Sequence, residues 1–560
     1  MVSKNKRLGE ILVESGAITD EQLEEALELS KKNGTVLGDT LLELGHLDEK
    51  TLYQCLEYHF HVPYVDLNET VIDKNAVSMI PEVLAKKHAV IPIKKEKKVL
   101  TVAMSDPLNF YAIDDVKNAS GLETCVVISP KKDIMNAIDR YYGSEIAEKA
   151  FEDLKKEYNS FNLASLSEIS ASEVENAPVV RLINSILKHA IKSGASDIHI
   201  EPTAANLRVR FRIDGQLQDV MASSMSAHPA IITRIKIIGG MDIAEKRIPQ
   251  DGRVEMEIDG TGIDLRISIL PTVYGEKVVI RVLGGSFVAL SREQLGLSET
   301  NSVLFDRITK SPNGIILVSG PTGSGKTTTL YTLLKELNQP NVNIITVEDP
   351  VEYKLEGINQ VQVNTKAGLT FASGLRSILR QDPDIIMIGE IRDGETAQIA
   401  IRASITGHLV LSTIHTNDAA SSVARLVDMG VEPYLVSSSL VGVVAQRLVR
   451  KICPRCKTPY RPSHSEMLLL KMKDSVPLYK GEGCPACNFS GYKGRKGIHE
   501  IIVVTREIRD LINRGASADQ LSQTALRQGT VTLRDSCTQL VLDGTTTVEE
   551  MLKVTYSVEG

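Results

Sequence analysis

The spacing of apolar residues changes along the chain, and each change predicts a different kind of element. Residues 7–30, RLGEILVESGAITDEQLEEALELS, and 36–59, VLGDTLLELGHLDEKTLYQCLEYH, are identical at eight positions with a constant offset of 29. Leu8/Leu37, Gly9/Gly38, Leu12/Leu41 and Gly16/Gly45 are among the matches. Each unit reads as a short helix, a glycine break, an Asp/Ser/Thr-type cap and a second helix. Residues 1–61 are therefore expected to form a duplicated helical module. Residues 62–143 carry strand-like AVIPI, a charged turn KKEKK and VLTVAM, the pattern of a mixed α/β domain. The polar, acidic stretch 144–176 has few apolar anchors and is expected to be a linker.

From Pro178 an amphipathic helix leads to strands interrupted at Asp214-Gly215 and Asp259-Gly260, both strong hairpin signals. Beyond about residue 291 strands alternate with helices, which predicts an open, mainly parallel sheet. The expected class is α/β and multidomain: a helical front, two α/β regions over 62–143 and 177–290, and a region of alternating strands and helices over 291–560.

Inside that last region, GPTGSGKT at 320–327 matches G-x-x-x-x-G-K-[ST] in full, after the apolar GIILVS and before a helix-compatible run. The glycines let the loop's backbone N–H groups close around phosphates, with Gly320, Pro321, Thr322, Gly323, Ser324, Gly325 and Thr328 lining the nucleotide. Lys326 supplies charge, and Thr327 can ligate magnesium. Phosphoryl transfer also needs a carboxylate for the metal or the attacking water. DIIMIGEIRD supplies one: its apolar strand, 385–388, ends at Gly389 where an Asp is expected, which leaves Glu390 as the acid. In NIITVEDPVEY, Glu348 ends another apolar strand and is a second polariser of water, although a turn at Asp349-Pro350 explains part of that stretch equally well. TGHLVLSTIHTND puts His408 and His415 on either side of a strand. Each alone reads as well as a hydrogen-bonded core residue; together they favour a sensor of the γ-phosphate.

In LRVRFRIDG the alternation sets Arg208, Arg210 and Arg212 on one strand face and Val209, Phe211 and Ile213 on the other. The arginine face meets water, a nucleotide or an acidic neighbouring subunit. Arg247, Arg253, Arg266, Lys277 and Arg281 make this region locally cationic. CPRC at 453–456 and CPAC at 484–487 are two C-x2-C pairs 27 residues apart. Cys453, Cys456, Cys484 and Cys487 suit one tetrahedral zinc with no open position, hence a structural metal. Two redox pairs are the other reading, but neither lies in a thioredoxin-like strand–helix context.

Charge and composition narrow the partners. A net charge of -7 over 560 residues argues against nucleic acid as the main partner. No apolar run reaches eighteen residues and MVSKNKRLGE lacks a signal-peptide core, so a cytoplasmic location with membrane contact only through a partner is expected.

Taken in order, the 320–327 loop, ITVEDPVEY, IIMIGEIRD, the two-histidine segment and the four cysteines resemble the secretion ATPase family that powers type II secretion and type IV pilus assembly. The resemblance covers nearly the whole chain. It implies a RecA-like P-loop domain with a zinc insertion at 451–490, a PAS-like α/β domain at 177–290, and a homo-hexameric ring peripheral to the inner face of the cytoplasmic membrane. ATP hydrolysis would drive a membrane-embedded platform protein. Carried over, Glu390 is the family's strand-end glutamate, Glu348 the acid of its aspartate box and His408 and His415 its histidine box. Arg208, Arg210 and Arg253 lie in the segments holding its nucleotide-reaching arginines.

The front repeat resembles a cyclic di-GMP-binding module with two 24-residue units beginning R-L-G, which places Arg7, Leu8, Gly9, Leu37, Gly38 and Asp39 at the ligand. Here the second unit begins with Val36, and Ser30 and His59 replace the closing glutamines. A helical docking module without ligand is the alternative. The repeat favours pilus assembly over a type II secretion motor. A DNA translocase or helicase on the same fold is the reading from another class.

Overall fold

The computed structural model describes residues 9–555, apart from 143–177, 259–260, 285–290, 108, 139–140 and several positions before residue 70. The expected linker at 144–176 lies outside the described residues. In the front module, Gly16 and Gly45 have φ of 71° and 70°, a left-handed conformation that suits glycine because it has no Cβ. The Ala17 and His46 amides donate to the Leu12 and Leu41 carbonyls at 3.0 and 3.1 Å. Leu12, Ile18, Leu41 and Leu47 share one core. The duplication is thus one of structure as well as sequence. Helix α1 (Asp20–Asn33) starts after Thr19, which exchanges bonds with Gln22 at 2.9 and 3.3 Å, a capping box.

Strands β1 (Val90–Glu96), β2 (Val99–Met104) and β3 (Glu123–Ile128) form a three-stranded sheet, β1 antiparallel and β3 parallel to β2. The connection between β2 and β3 is α2 (Phe110–Ser120), capped by Asn109 and ended by Gly121 in the left-handed region.

Next, α3 (Pro178–Lys192) and α4 (His228–Ile238) pack on a six-stranded sheet. Its strands are β4 (Ala195–Pro202), β5 (Leu207–Ile213), β6 (Gln216–Ser223), β7 (Gln250–Ile258), β8 (Thr261–Thr272) and β9 (Gly275–Gly284). They run antiparallel in the order β6-β5-β4-β9-β8-β7. Asp214 and Gly215, with φ of 48° and 83°, make the expected two-residue turn between β5 and β6. The Asp259-Gly260 turn lies outside the described residues, but Ile258 and Thr261 on either side of it pair.

The largest sheet holds β10 (Gly314–Ser319), β11 (Ile344–Glu348), β12 (Asn359–Gln362), β13 (Ile385–Ile388), β14 (Leu409–Ile414), β15 (Leu440–Ile452) and β18 (Tyr492–Val503). Their order is β12-β11-β13-β14-β10-β15-β18, parallel except for β18 against β15. Alternate residues of one strand fill opposite faces: Ile315 and Leu317 join one core, Ile316 and Val318 the other. Burial on both faces is why these strands read as unbroken apolar runs. Helices α5 (Lys326–Leu337), α6 (Gly394–Ile405) and α7 (Ala420–Asp428) are among those covering the sheet. A small β16–β17 hairpin (Lys457–Tyr460 and Leu478–Gly481) lies between the two cysteine pairs.

Candidate nucleotide site and four-cysteine knuckle

β10 runs straight into the loop 320–325, and α5 begins at Lys326. Gly320, Gly323 and Gly325 have φ of 142°, 78° and 90°, so the loop needs glycine at these places. Pro321, Thr322 and Gly323 are exposed, Ser324 is buried, and Thr327 and Thr328 are half-buried in the first turn of α5. The Lys326 ammonium donates to the Gly320 and Pro321 carbonyls at 2.8 and 3.1 Å. Burial pushes it down to about 8, against the pull of Glu390 and with a further push from Arg447.

β14 lies beside β10 and β13 beside β14, all parallel, so residues after their last positions emerge on the same edge as the loop. Glu390 accepts from Arg392 Nη2 at 2.6 Å and lies 3.4 Å from His415 Nε2. Burial, and then the Lys326 charge, hold the His415 imidazole below its ordinary range despite Glu390. The edge thus brings Lys326, Glu390 and His415 together, an ammonium, a carboxylate and a neutral imidazole around the mouth of a phosphate loop.

The other expected residues are placed differently. His408 stands at the opposite end of β14, beside Gly314 rather than Gly320, about 20 Å of strand away. Its Nδ1 donates to the Ala403 carbonyl at 2.9 Å, the end of α6. The two histidines do not meet at one γ-phosphate position within the chain. Glu348 is buried at the end of β11 and accepts from Tyr331, from Thr346 Oγ1 at 2.5 Å and from Gln360 Nε2 at 3.1 Å. Burial, with the Glu348 charge next, holds the Tyr331 phenol far above its ordinary range. Arg208 pairs with Asp219 at 2.7 Å, Arg210 with Glu201 at 2.6 Å, and Arg253 with Asp264 and Glu255, each at 2.9 Å. Each of the three arginines meets a carboxylate of its own sheet.

Three residues near the site carried no role in the sequence reading. Gln446 and Arg447 lie on β15 beside the loop; Gln446 bonds to Ser324 and Thr329, and Arg447 reaches Asn417 Oδ1 at 3.2 Å. The available signal was a lone amide inside the apolar run LVGVVAQRLV. Arg266, not Arg253, reaches the segment after β11, donating to the Val351 carbonyl at 3.4 Å.

The four cysteines converge. Their Sγ atoms all lie within 4.8 Å of one another, with Cys453–Cys484 and Cys456–Cys487 both at 3.9 Å and Cys484–Cys487 at 3.8 Å. Zinc–sulfur bonds of about 2.3 Å set the edge of a tetrahedron at about 3.8 Å. Backbone amides of Cys484 and Gly491 donate to Cys487 Sγ at 3.2 and 3.3 Å, the support a bound thiolate needs. All four cysteines are free of disulfides. The donor set and its geometry fit the metal.

A family model described as "Type II/IV secretion system protein" matches residues 172–553. The chain belongs to that family. A second model, the MshEN domain, matches residues 60–148. Among similar proteins is the type IV pilus assembly ATPase PilB of Myxococcus xanthus, 43% identical over 98% of both chains. Another is type II secretion system protein E of Pseudomonas aeruginosa, 51% identical over 68% of this chain and 76% of that one. The Legionella pneumophila ATPase DotB shares the fold, with a TM-score of 0.51, 20% identity, and coverage of 66% of this chain and 94% of that one. This member of the secretion family is an ATP-hydrolysing motor enzyme. Among the described residues no helix is long and apolar enough to cross a membrane.

Proposed function

We propose that this motor ATPase drives assembly of a type IV pilus. The observation that carries the reading is the match to the Myxococcus pilus assembly ATPase along 98% of both chains. The 51% identity to a type II secretion protein over 68% of this chain favours secretion as the second reading. The working form is a homo-hexamer at the cytoplasmic face of the inner membrane, pushing on a platform protein embedded there.

ATP binds with its phosphates against residues 320–328. Magnesium would be held by Thr327 and Glu390 and would neutralise phosphate charge when bound. Glu390 also orients the attacking water, held in place by Arg392 and His415. Glu348 polarises from within its buried network. His408, Arg208, Arg210 and Arg253 act across subunit boundaries, since within one chain they stand away from the loop or pair inside their own sheet. Zinc is held by Cys453, Cys456, Cys484 and Cys487 as a structural centre.

Cyclic di-GMP regulates the motor through the front module. Of its expected contacts, Gly9 and Leu37 are described, whereas Arg7, Leu8, Gly38 and Asp39 lie outside the described residues. Gly9 packs on Leu23, where a Cβ would stand 2.7 Å from Cδ1. Calorimetric titration of the full chain tests this point: absence of heat at micromolar cyclic di-GMP removes it.

The function itself is tested by deleting the gene, complementing with parent or Lys326→Ala, and counting surface pili by electron microscopy. Loss of pili, restored only by the parent, is expected. Excess pili would mean retraction, and unchanged pili with impaired protein export would mean secretion.

A further inference from the structure

The phosphate loop is gripped from beneath by one buried side chain. Gln446 sits midway along β15, next to Ala445, the register partner of Ser319 at the end of β10. Its Nε2 donates to the Ser324 carbonyl at 2.9 Å, and its Oε1 accepts from Thr329 Oγ1 at 2.7 Å. One end of the amide therefore holds the loop and the other the first turn of α5. Both ends are used with the polarity only an amide offers; a carboxylate lacks the donor, and a methionine lacks the donor and any strong acceptor.

The loop is also moulded on this residue. A Cβ at Gly320 would stand 2.4 Å from the Gln446 carbonyl oxygen, and one at Gly325 2.8 Å from its Nε2. Two of the three left-handed glycines are thus in close approach to Gln446. Pro321, Thr322 and Gly323, by contrast, are exposed. The neighbouring Arg447 acts on the same loop through charge, pushing Lys326 down.

We propose that Gln446 is a positioning residue for ATP hydrolysis, fixing the phosphate loop to β15 so that any shift of β15 against β10 alters the loop's grip on phosphate. It acts from the far side of the loop through Ser324 and Thr329.

Full-length parent, Gln446→Met, Thr329→Val and the double variant test this, with affinity for a fluorescent ATP analogue, kcat, KM and Tm measured for each. Gln446→Met keeps the bulk and removes the amide. Its nucleotide affinity is expected to fall on the order of tenfold, the scale for a buried hydrogen-bonding group left without its partner, and its kcat to fall as well. Thr329→Val shifts both in the same direction by less. The double variant is no worse than Gln446→Met, because Thr329 acts through the amide. A lowered Tm with affinity and kcat within twofold of the parent would reduce Gln446 to a structural residue and overturn the proposal, as would additive effects in the double variant. If Gln446→Met does not fold, Thr329→Val decides: parental affinity and kcat overturn the proposal, and a joint loss supports it.

Discussion

In the seven-stranded, mainly parallel sheet the polar groups of the candidate site leave the strand ends along one edge, whereas in the six-stranded antiparallel sheet they line a face along the strands. The first arrangement concentrates charge of both signs in one place: Lys326 after β10, Glu390 after β13 and His415 after β14. The second spreads it, and each arginine finds a carboxylate on its own sheet, as Arg210 finds Glu201 and Arg253 finds Asp264. Topology explains the difference. Parallel strands share a direction, so their carboxyl ends line up with the amino ends of the following helices, where anions are favoured. Antiparallel neighbours put arginine and aspartate across from each other, and such pairs neutralise locally.

The contrast can be broken in graded steps. Lys326→Ala removes a cation that acts on developing phosphate charge, and kcat/KM measured by phosphate release is expected to fall by about 10²–10³. Equal activity would leave the strand-end edge without its main electrostatic element. His415→Ala, which strips Glu390 of a partner at 3.4 Å, is expected to lower kcat about tenfold, less than the roughly 10²–10⁴ of an acid–base group itself, because His415 acts through Glu390. His408→Ala loses a bond to Ala403 at the far end of β14, and its loss of stability is expected near 1 kcal/mol, read as a small drop in Tm.

Protonation offers a fourth step. Lys326 is held at about 8, and bound triphosphate raises it, so nucleotide binding takes up a proton above that pH. Calorimetry at pH 8.5 in buffers of different ionisation enthalpy should show this uptake for the parent and not for Lys326→Met. The sign for folding follows from the same value. A lysine whose folded pKa lies below the ordinary value of about 10.4 binds fewer protons folded than unfolded, so its contribution to stability rises with pH between the two. The smallest effect on folding stability belongs to the arginine face. Arg208→Ala removes an exposed pair with Asp219 and should leave the chemical-denaturation midpoint close to the parent's.

What could be read from sequence follows the same division. The loop at 320–327, Glu390 after its apolar strand, the Asp214-Gly215 turn and the repeat around Gly16 and Gly45 are local patterns, each fixed by a spacing or a backbone conformation within a few residues. Gln446 and Arg266 act across 122 and 85 positions of chain, distances that only the strand order closes. His408 shows the boundary between the two. The sequence put it beside a strand, but the β10–β14 register decides which end of the sheet it occupies. Glu348 was visible as a strand-end acid, yet its engagement by Tyr331 and Gln360 comes from a helix and a strand that the motif does not include.

The most direct test of the strand-end account is Glu390→Gln in the purified full-length protein, with ATP binding and turnover measured side by side. The account predicts that the variant binds ATP as tightly as the parent and hydrolyses it at least about 100-fold more slowly. Turnover within a few-fold of the parent would place the hydrolytic carboxylate elsewhere and contradict it.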